Sequence, residues 1–317
     1  MINIAKEVEN AGSIAISGHI RPDGDCVGSC LAMYLYLKKI KPECKVHIYL
    51  EEPPAVFASL KGIEDIKRAD GTRHAYDVFI ALDCNVERLG DSEPMFHGAK
   101  KTINIDHHIS NQGEGDVNYI VPTASSAAEL VYDVIDKDMI DEDIAKALYV
   151  GIIHDTGILQ YSNTAPKTLR IVAGLLEFGF DFPKLIEETF YEKSYTQNRL
   201  MGRVLMESEL FLDGRVIAGH ATRHLMEQYN AGPKDMDGIV NHLKYTKGAD
   251  CAVYMYELEK GHYKISMRTN GVIDCSKVCV HFGGGGHVRA SGCNLNGSYE
   301  EIMQLICAQI SEQLQEQ

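Results

Sequence analysis

Residues 13–50, SIAISGHIRPDGDCVGSCLAMYLYLKKIKPECKVHIYL, place two strand patterns around one helical pattern. "SIAIS" (13–17) and "KVHIYL" (45–50) are short apolar runs, whereas "VGSCLAMYLYLKKI" (27–40) combines helical spacing with good helix formers. "PECKV" returns the chain to a strand. A strand–helix–strand unit predicts a mostly parallel sheet with helices on its faces. The same stretch crowds His19, Asp23 and Asp25 onto the exit of its first strand.

Working outward, "DVFIALD" (77–83) and "KTINID" (101–106) supply two further strands. Asp83 ends one of them, and Asp106, His107 and His108 end the other. Ser126 stands three residues before Glu129, a capping-box signature that opens the helical "SSAAELVYDVID" (125–136). "DEDIAKALYVGIIHD" (141–155) reads as another helix and closes on Asp155. Open parallel sheets bind ligands outside the carboxyl ends of their strands, so these groups are expected to converge on one crevice.

After about residue 206 the pattern changes. "ELFLDGRVIAGHA" reads as a hairpin turning at Asp213-Gly214, and "CAVYMYELEKGHYKISMRT" as a second turning at Lys260-Gly261. The chain ends in the helical "YEEIMQLICAQISEQLQ". The fold class expected is therefore α/β: a mostly parallel sheet domain over 1–185, a helical connector over 186–205, and a smaller α+β domain over 206–317. With about 100 to 200 residues per domain, 317 residues suit two domains.

Composition bounds the chemistry. No run of about 18 apolar residues occurs, and no basic segment precedes an apolar core at the N-terminus, so a cytoplasmic protein without membrane contact is expected. Nine cysteines without a CxxC pair fit reduced thiols, and Cys275 and Cys279 lack partners for a zinc set. The net charge of -14 and the absence of a long Lys/Arg cluster argue against a protein that grips long duplex nucleic acid. A polyanionic substrate is therefore expected to be short and locally held.

Each acidic residue at a strand exit has a structural explanation, because Asp after a strand commonly caps a helix or forms a turn. Their joint occurrence is harder to explain that way, since converging carboxylates repel and cannot all stay ionised without a cation. Asp23, Asp25, Asp83 and Asp155 supply four negative charges, which two divalent ions would balance. An oxygen-rich set with imidazole suits Mn²⁺ ahead of Mg²⁺, Fe²⁺ or Co²⁺. A binuclear centre of this kind is suited to phosphoester hydrolysis.

The motifs GHIRPDGDCVGS (18–29), ALDC (81–84), NIDHHISN (104–111) and GIIHDTG (151–157), in this order, resemble those of the DHH phosphoesterase superfamily. HFGGGGHVRASG (281–292) resembles the glycine-rich motif of the DHH-associated C-terminal domain. The resemblance implies that His19, Asp23 and Asp83 hold one ion and that Asp25, Asp83, His107 and Asp155 hold the other, with Asp83 as the bridge. It implies that Asp106 orients an imidazole and that His108 contacts phosphate or assists proton transfer near the leaving oxygen.

In the second domain, glycines 283–286 could bring backbone N–H groups close to a phosphate or base, with His287 and Arg289 beside them. The resemblance implies substrate binding at Gly284, Gly285, Gly286, His287 and Arg289. Arg268 then stands where relatives pair an arginine with substrate phosphate, and Arg21 is a weaker candidate. The branch most resembled contains stand-alone nanoRNases and 3'-phosphoadenosine 5'-phosphate phosphatases, with a substrate cleft between the two domains. The expectation is hydrolysis of dinucleotides and other very short oligonucleotides to nucleoside 5'-monophosphates, with 3'-phosphoadenosine 5'-phosphate as a second substrate. Cyclic dinucleotide hydrolysis and a non-catalytic nucleotide sensor are the alternatives, and the apolar connector helices could hold a homodimer.

Overall fold

The computed structural model describes residues 2–315. It divides into two compact units, Met1–Glu192 and Lys193–Gln317.

The first unit is built on a six-stranded sheet of β1 (Ser13–Ser17), β2 (Lys45–Tyr49), β3 (Ile66–Lys67), β4 (Val78–Leu82), β5 (Lys101–Asp106) and β6 (Val117–Ile120), in the order β3-β2-β1-β4-β5-β6. Every pairing is parallel. Ile14, Ile16, Ile80, Leu82, Ile103 and Ile105 send their side chains to one face, where the helices Gly24–Ile40, Ala127–Val134 and Glu142–Asp155 bury them. Ala15, Phe79 and Ala81 point to the other face, under Tyr76, Met95 and Phe96. That face carries the short helix Glu93–Phe96 and 3₁₀ turns rather than long helices. Central strands buried on both sides must be apolar throughout, and all five residues of β4 are buried.

The second unit has its own six-stranded sheet: β7 (Glu209–Phe211), β8 (Val216–Ala221), β9 (Cys251–Glu259), β10 (His262–Thr269), β11 (Gly285–His287) and β12 (Ala290–Asn296), ordered β11-β12-β10-β9-β8-β7. β8 and β9 are parallel, and the other pairs are antiparallel. Alternation along β10 sends Tyr263, Ile265 and Met267 to the face covered by the helices Cys275–His281 and Tyr299–Gln315. The opposite face, with Ala252, Tyr254 and Tyr256, is covered by the helices Tyr195–Met206, Arg223–Gln228 and Ile239–Lys244.

Within residues 186–205, read from the sequence as a helical connector, Leu200 and Val204 of the Tyr195–Met206 helix are buried with Ile217 and Leu243. Of glycines 283–286, Gly285 and Gly286 lie with His287 in an edge strand in register with β12.

Candidate functional site

β1 and β4 lie side by side, and the strand order turns about them, so the loops that leave their carboxyl ends diverge and open a crevice. His19 leaves β1 buried, and its Nδ1 lies 2.8 Å from the Ile20 carbonyl. That contact leaves Nε2 as the coordinating nitrogen of a neutral imidazole. Asp23 caps the Gly24–Ile40 helix, with Oδ1 accepting from the Asp25 and Cys26 amides at 3.0 and 3.1 Å. It also faces His19 Nε2 at 3.6 Å, so capping and site membership coincide in one residue.

Asp25 is buried on the first turn of the same helix. Its Oδ2 accepts from the Ala127 amide at 2.6 Å and its Oδ1 from the Ala128 amide at 2.9 Å, at the positive end of the Ala127–Val134 helix. Close helix approach makes this contact feasible. A Cβ on Gly28 would lie 2.5 Å from the Ala147 carbonyl, and one on Gly151 would lie 2.5 Å from Ala128 Cβ and 3.0 Å from Asp25 Oδ1. Four residues after Gly151 the Glu142–Asp155 helix ends on Asp155.

Asp83 has a left-handed φ of 59°, sparsely populated for a residue other than glycine but tolerated by aspartate. Its amide is bonded to the Ile105 carbonyl at 3.0 Å. Oδ2 faces His19 Nε2 at 3.4 Å, whereas Oδ1 faces His107 Nε2 at 3.5 Å. His107 Nε2 is also 3.7 Å from Asp25 Oδ2 and 3.6 Å from Asp155 Oδ2. Asp83 Oδ1 is buried and has no hydrogen-bond partner.

These separations are long for hydrogen bonds. They suit ligands of a shared ion, because two donor atoms about 2.1 Å from one ion stand about 3.0 Å apart at a right angle and about 3.4 Å at the tetrahedral angle. His19, Asp23 and Asp83 could hold one ion, and Asp25, Asp83, His107 and Asp155 a second, with a different Asp83 oxygen turned to each. The electrostatics point the same way. Burial, followed by the Asp83 and Asp155 charges, pushes the Asp25 carboxyl well up, and burial raises Asp155 to about 6. Burial opposes charge on His19, but Asp23 and Asp83 outweigh it and raise the imidazole to about 11. His107 behaves likewise and reaches about 10 beside Asp83, Asp25 and Asp155. Without a cation the carboxylates hold protons on their neighbours, so the donor set fits divalent metal. Cys26 packs beneath His19, but burial keeps its thiol neutral, which leaves an oxygen and nitrogen set.

Asp106 lies within 4.8 Å of ligand atoms of Asp83, His107 and His108, but its oxygens are committed to other partners. Its Oδ1 accepts from the His107 and His108 amides at 2.7 and 3.2 Å and meets His108 Nδ1 at 2.7 Å. The imidazole it orients is therefore that of His108, which the bond to Asp106 holds above its ordinary pKa. Sequence reasoning missed the residues that hold Asp106. Asn111 donates to Asp106 Oδ2 at 2.7 Å, to Asn104 Oδ1 at 2.9 Å and to the Cys84 carbonyl at 3.0 Å. Asn104 and Asn111 bracket NIDHHISN, and two amides flanking a buried carboxylate were the signal available. Asn163, also missed, donates to Asp155 Oδ2 at 3.4 Å.

Within the second unit, Lys264, Ser266, Arg268, Gly284, Gly285, Gly286 and Asn294 line an open groove of about 550 Å³. His287 and Arg289 are not among its lining residues, although His287 sits opposite Ala290 at the same end of the sheet. The glycines serve different needs. A Cβ on Gly284 would lie 2.3 Å from the Gly292 carbonyl, and one on Gly286 would lie 2.6 Å from Ser291 Cα, so both are required by strand packing. Gly285 has open space and can present its backbone to a ligand. No helix among the described residues is long and apolar enough to cross a membrane.

Residues 13–152 match the DHH family N-terminal domain, and residues 216–316 match the DHHA1 domain. The chain is 31% identical to the bifunctional oligoribonuclease and PAP phosphatase NrnA of Thermus thermophilus, across 96% of this chain and 91% of that one. It is 24% identical to the Bacillus subtilis protein of the same name, across 89% of each. An exopolyphosphatase-related protein from Bacteroides fragilis superposes with a TM-score of 0.89 at 26% identity, covering 98% of this chain and 94% of that one.

Proposed function

The chain belongs to the DHH family, and on that premise we propose that it is a metal-dependent phosphoesterase that hydrolyses dinucleotides and other very short oligoribonucleotides to nucleoside 5'-monophosphates, with 3'-phosphoadenosine 5'-phosphate as a second substrate. The observation that carries this reading is Asp83, whose two carboxylate oxygens face two separate ligand sets, one of them buried without any hydrogen-bond partner. The names of the Thermus thermophilus and Bacillus subtilis relatives supply the substrate class.

His19, Asp23 and Asp83 would hold one divalent ion, and Asp25, Asp83, His107 and Asp155 the other, with Mn²⁺ favoured by the oxygen and imidazole donors. When bound, the ions supply neutralisation of phosphoryl charge and acidification of water. The remaining work falls to the chain. Asp106 fixes the His108 ring through Nδ1, leaving Nε2 to meet the phosphate or to deliver a proton to the leaving nucleoside oxygen as the P–O bond breaks. The Ala127 and Ala128 amides fix Asp25, and Asn163 steadies Asp155, so the ligand carboxylates need no rearrangement. In the second unit, Arg268 offers bidentate contact to a phosphate, Gly284, Gly285 and Gly286 form the adjoining groove wall, and His287 and Arg289 stand at its end. A net charge of -14 favours ligands bound at such local cations over long strands.

The test is a product time course with Mn²⁺ on a 5'-phosphorylated dinucleotide, a 10-mer RNA, 3'-phosphoadenosine 5'-phosphate and cyclic di-AMP. Fast release of monophosphates from the dinucleotide, with slow loss of the 10-mer and the ring, is expected. Faster opening of the ring would replace this reading with a cyclic dinucleotide phosphodiesterase, and no turnover of any of the four would leave a nucleotide sensor.

A further inference from the structure

Cys26 is a buried thiol that the proposed chemistry does not use. It lies on the first turn of the Gly24–Ile40 helix, directly after Asp25. Its sulfur fills the notch where β1 and β4 leave the sheet: a Cβ on Gly18 would lie 2.3 Å from Cys26 Sγ and 3.1 Å from the Leu82 carbonyl oxygen. Sγ is 3.9 Å from the His19 carbonyl oxygen. One donor atom from each of His19, Cys26 and Asp83 lies within 4.8 Å of the other two, and all three residues are buried.

The first ion's set can therefore be completed in two ways. His19 and Asp83, whose Nε2 and Oδ2 are 3.4 Å apart, are common to both. Asp23 adds a carboxylate from the solvent side, with its side chain 62% exposed, whereas Cys26 adds sulfur from the interior. Zinc holds nitrogen at about 2.0–2.1 Å and thiolate sulfur at about 2.3 Å, which puts those two donors about 3.6 Å apart at the tetrahedral angle. The thiol must then close on its neighbours by at most about 1.2 Å, a small movement for a side chain turning about one bond. Asp83, shared by both sets, also carries a buried oxygen with no hydrogen-bond partner, which marks this as a place for a cation.

We propose that Cys26 makes the first ion site discriminate by softness: Mn²⁺ is held by His19, Asp23 and Asp83, whereas a thiophilic ion, Zn²⁺ or Cd²⁺, is drawn inward onto His19, Cys26 and Asp83 and slows hydrolysis. This rests on the phosphoesterase reading above. Hard ions prefer oxygen and leave the thiol protonated. A thiophilic ion sends that proton to solvent as the metal–sulfur bond forms, because the ligand is the thiolate. Exchanging the Asp23 carboxylate for one thiolate preserves the charge of the set, so the ion's position is what changes. A displacement of about 1 Å at the reacting centre costs on the order of 10²-fold in rate.

The test uses the full chain, wild type, Cys26→Ala and Cys26→Ser. Cys30→Ala is the control, because Cys30 Sγ lies 3.3 Å from the same point beside Gly18 but outside the donor group. Each metal-free protein is titrated with Cd²⁺ while the sulfur-to-metal absorption in the ultraviolet is followed. Hydrolysis of a dinucleotide with Mn²⁺ is then measured against rising Zn²⁺. Wild type and Cys30→Ala should show the absorption at the first equivalent of Cd²⁺, and both Cys26 variants should lack it. Serine keeps the size of the side chain, so a loss shared by both variants is a loss of sulfur. The Cys26 variants should keep wild-type Mn²⁺ affinity and turnover and require at least about tenfold more Zn²⁺ for half inhibition. The same absorption and the same Zn²⁺ inhibition in the Cys26 variants overturn the proposal. So does an equal loss of Mn²⁺ and Cd²⁺ affinity, which would make Cys26 a support of the fold rather than a ligand. If wild type cleaves no dinucleotide with Mn²⁺ but shows an absorption that depends on Cys26, the hydrolytic reading falls and the thiol site stands.

Discussion

Replacing Gly151 with alanine should damage activity far more than stability. The new Cβ would lie 2.5 Å from Ala128 Cβ and 3.0 Å from Asp25 Oδ1, where ordinary contacts exceed 3.4 Å. The Glu142–Asp155 helix must therefore move away by roughly 1 Å, carrying Asp155 with it and loosening the seat of Asp25. Overpacking of this kind costs about 1–3 kcal/mol. At roughly 2–4 °C per kcal/mol for a unit of this size, the melting temperature should fall by about 2–12 °C. A displacement of about 1 Å at the reacting centre costs on the order of 10²-fold in rate, and the same shift should weaken metal affinity. Gly174→Ala is the control: Gly174 lies in the Pro166–Leu176 helix with nothing within 4 Å of its added Cβ, so alanine should be neutral or stabilising by up to about 1 kcal/mol. The assays are thermal melting, Mn²⁺ titration by calorimetry and dinucleotide hydrolysis. A Gly151→Ala protein with wild-type metal affinity and turnover would show that close helix approach does not position Asp25 and Asp155.

Asp83→Ala should abolish metal-dependent turnover, since it removes the carboxylate that faces both ligand sets; equal activity under metal-controlled conditions would sink the binuclear arrangement. Arg268→Ala should raise KM for a dinucleotide much more than for a small chromogenic phosphodiester, and equal losses on both would mean that Arg268 supports the fold or the metal site instead. Metal uptake should release protons at pH 7 to 8, because His19 and His107, raised to about 11 and 10, carry protons in the metal-free protein and must shed them to coordinate. Below about pH 6 Asp155 must shed one as well, so affinity should rise with pH. Binding enthalpies that do not depend on the ionisation enthalpy of the buffer would contradict this.

The interior of the first sheet was legible because β1, β2, β4 and β5 are apolar runs between recognisable helix signals. β3 is two residues long and β6 reads VNYI at an edge, so neither carries a pattern strong enough to see. The ligand residues were legible for a related reason: each follows a strand or ends a helix, and a parallel sheet collects those ends. Asn111 was not, since an amide holding a buried carboxylate looks like any loop asparagine. Glycine has low strand propensity, which hid Gly285–His287 as an edge strand, although it runs in antiparallel register with β12.

The carboxylates of the centre are tied to the backbone before any ion arrives: Asp23 to its own helix, Asp25 to the start of another, Asp106 to the two amides that follow it. In small zinc-dependent domains the ion orders the chain, and its removal unfolds it. Here folding has already met the entropic cost of ordering these side chains, so an arriving ion spends its binding energy on affinity rather than on shaping the polypeptide. Depleting the metal should therefore silence the protein while leaving it folded and ready to be reloaded, which makes the supply of free divalent ions a reversible control on its activity.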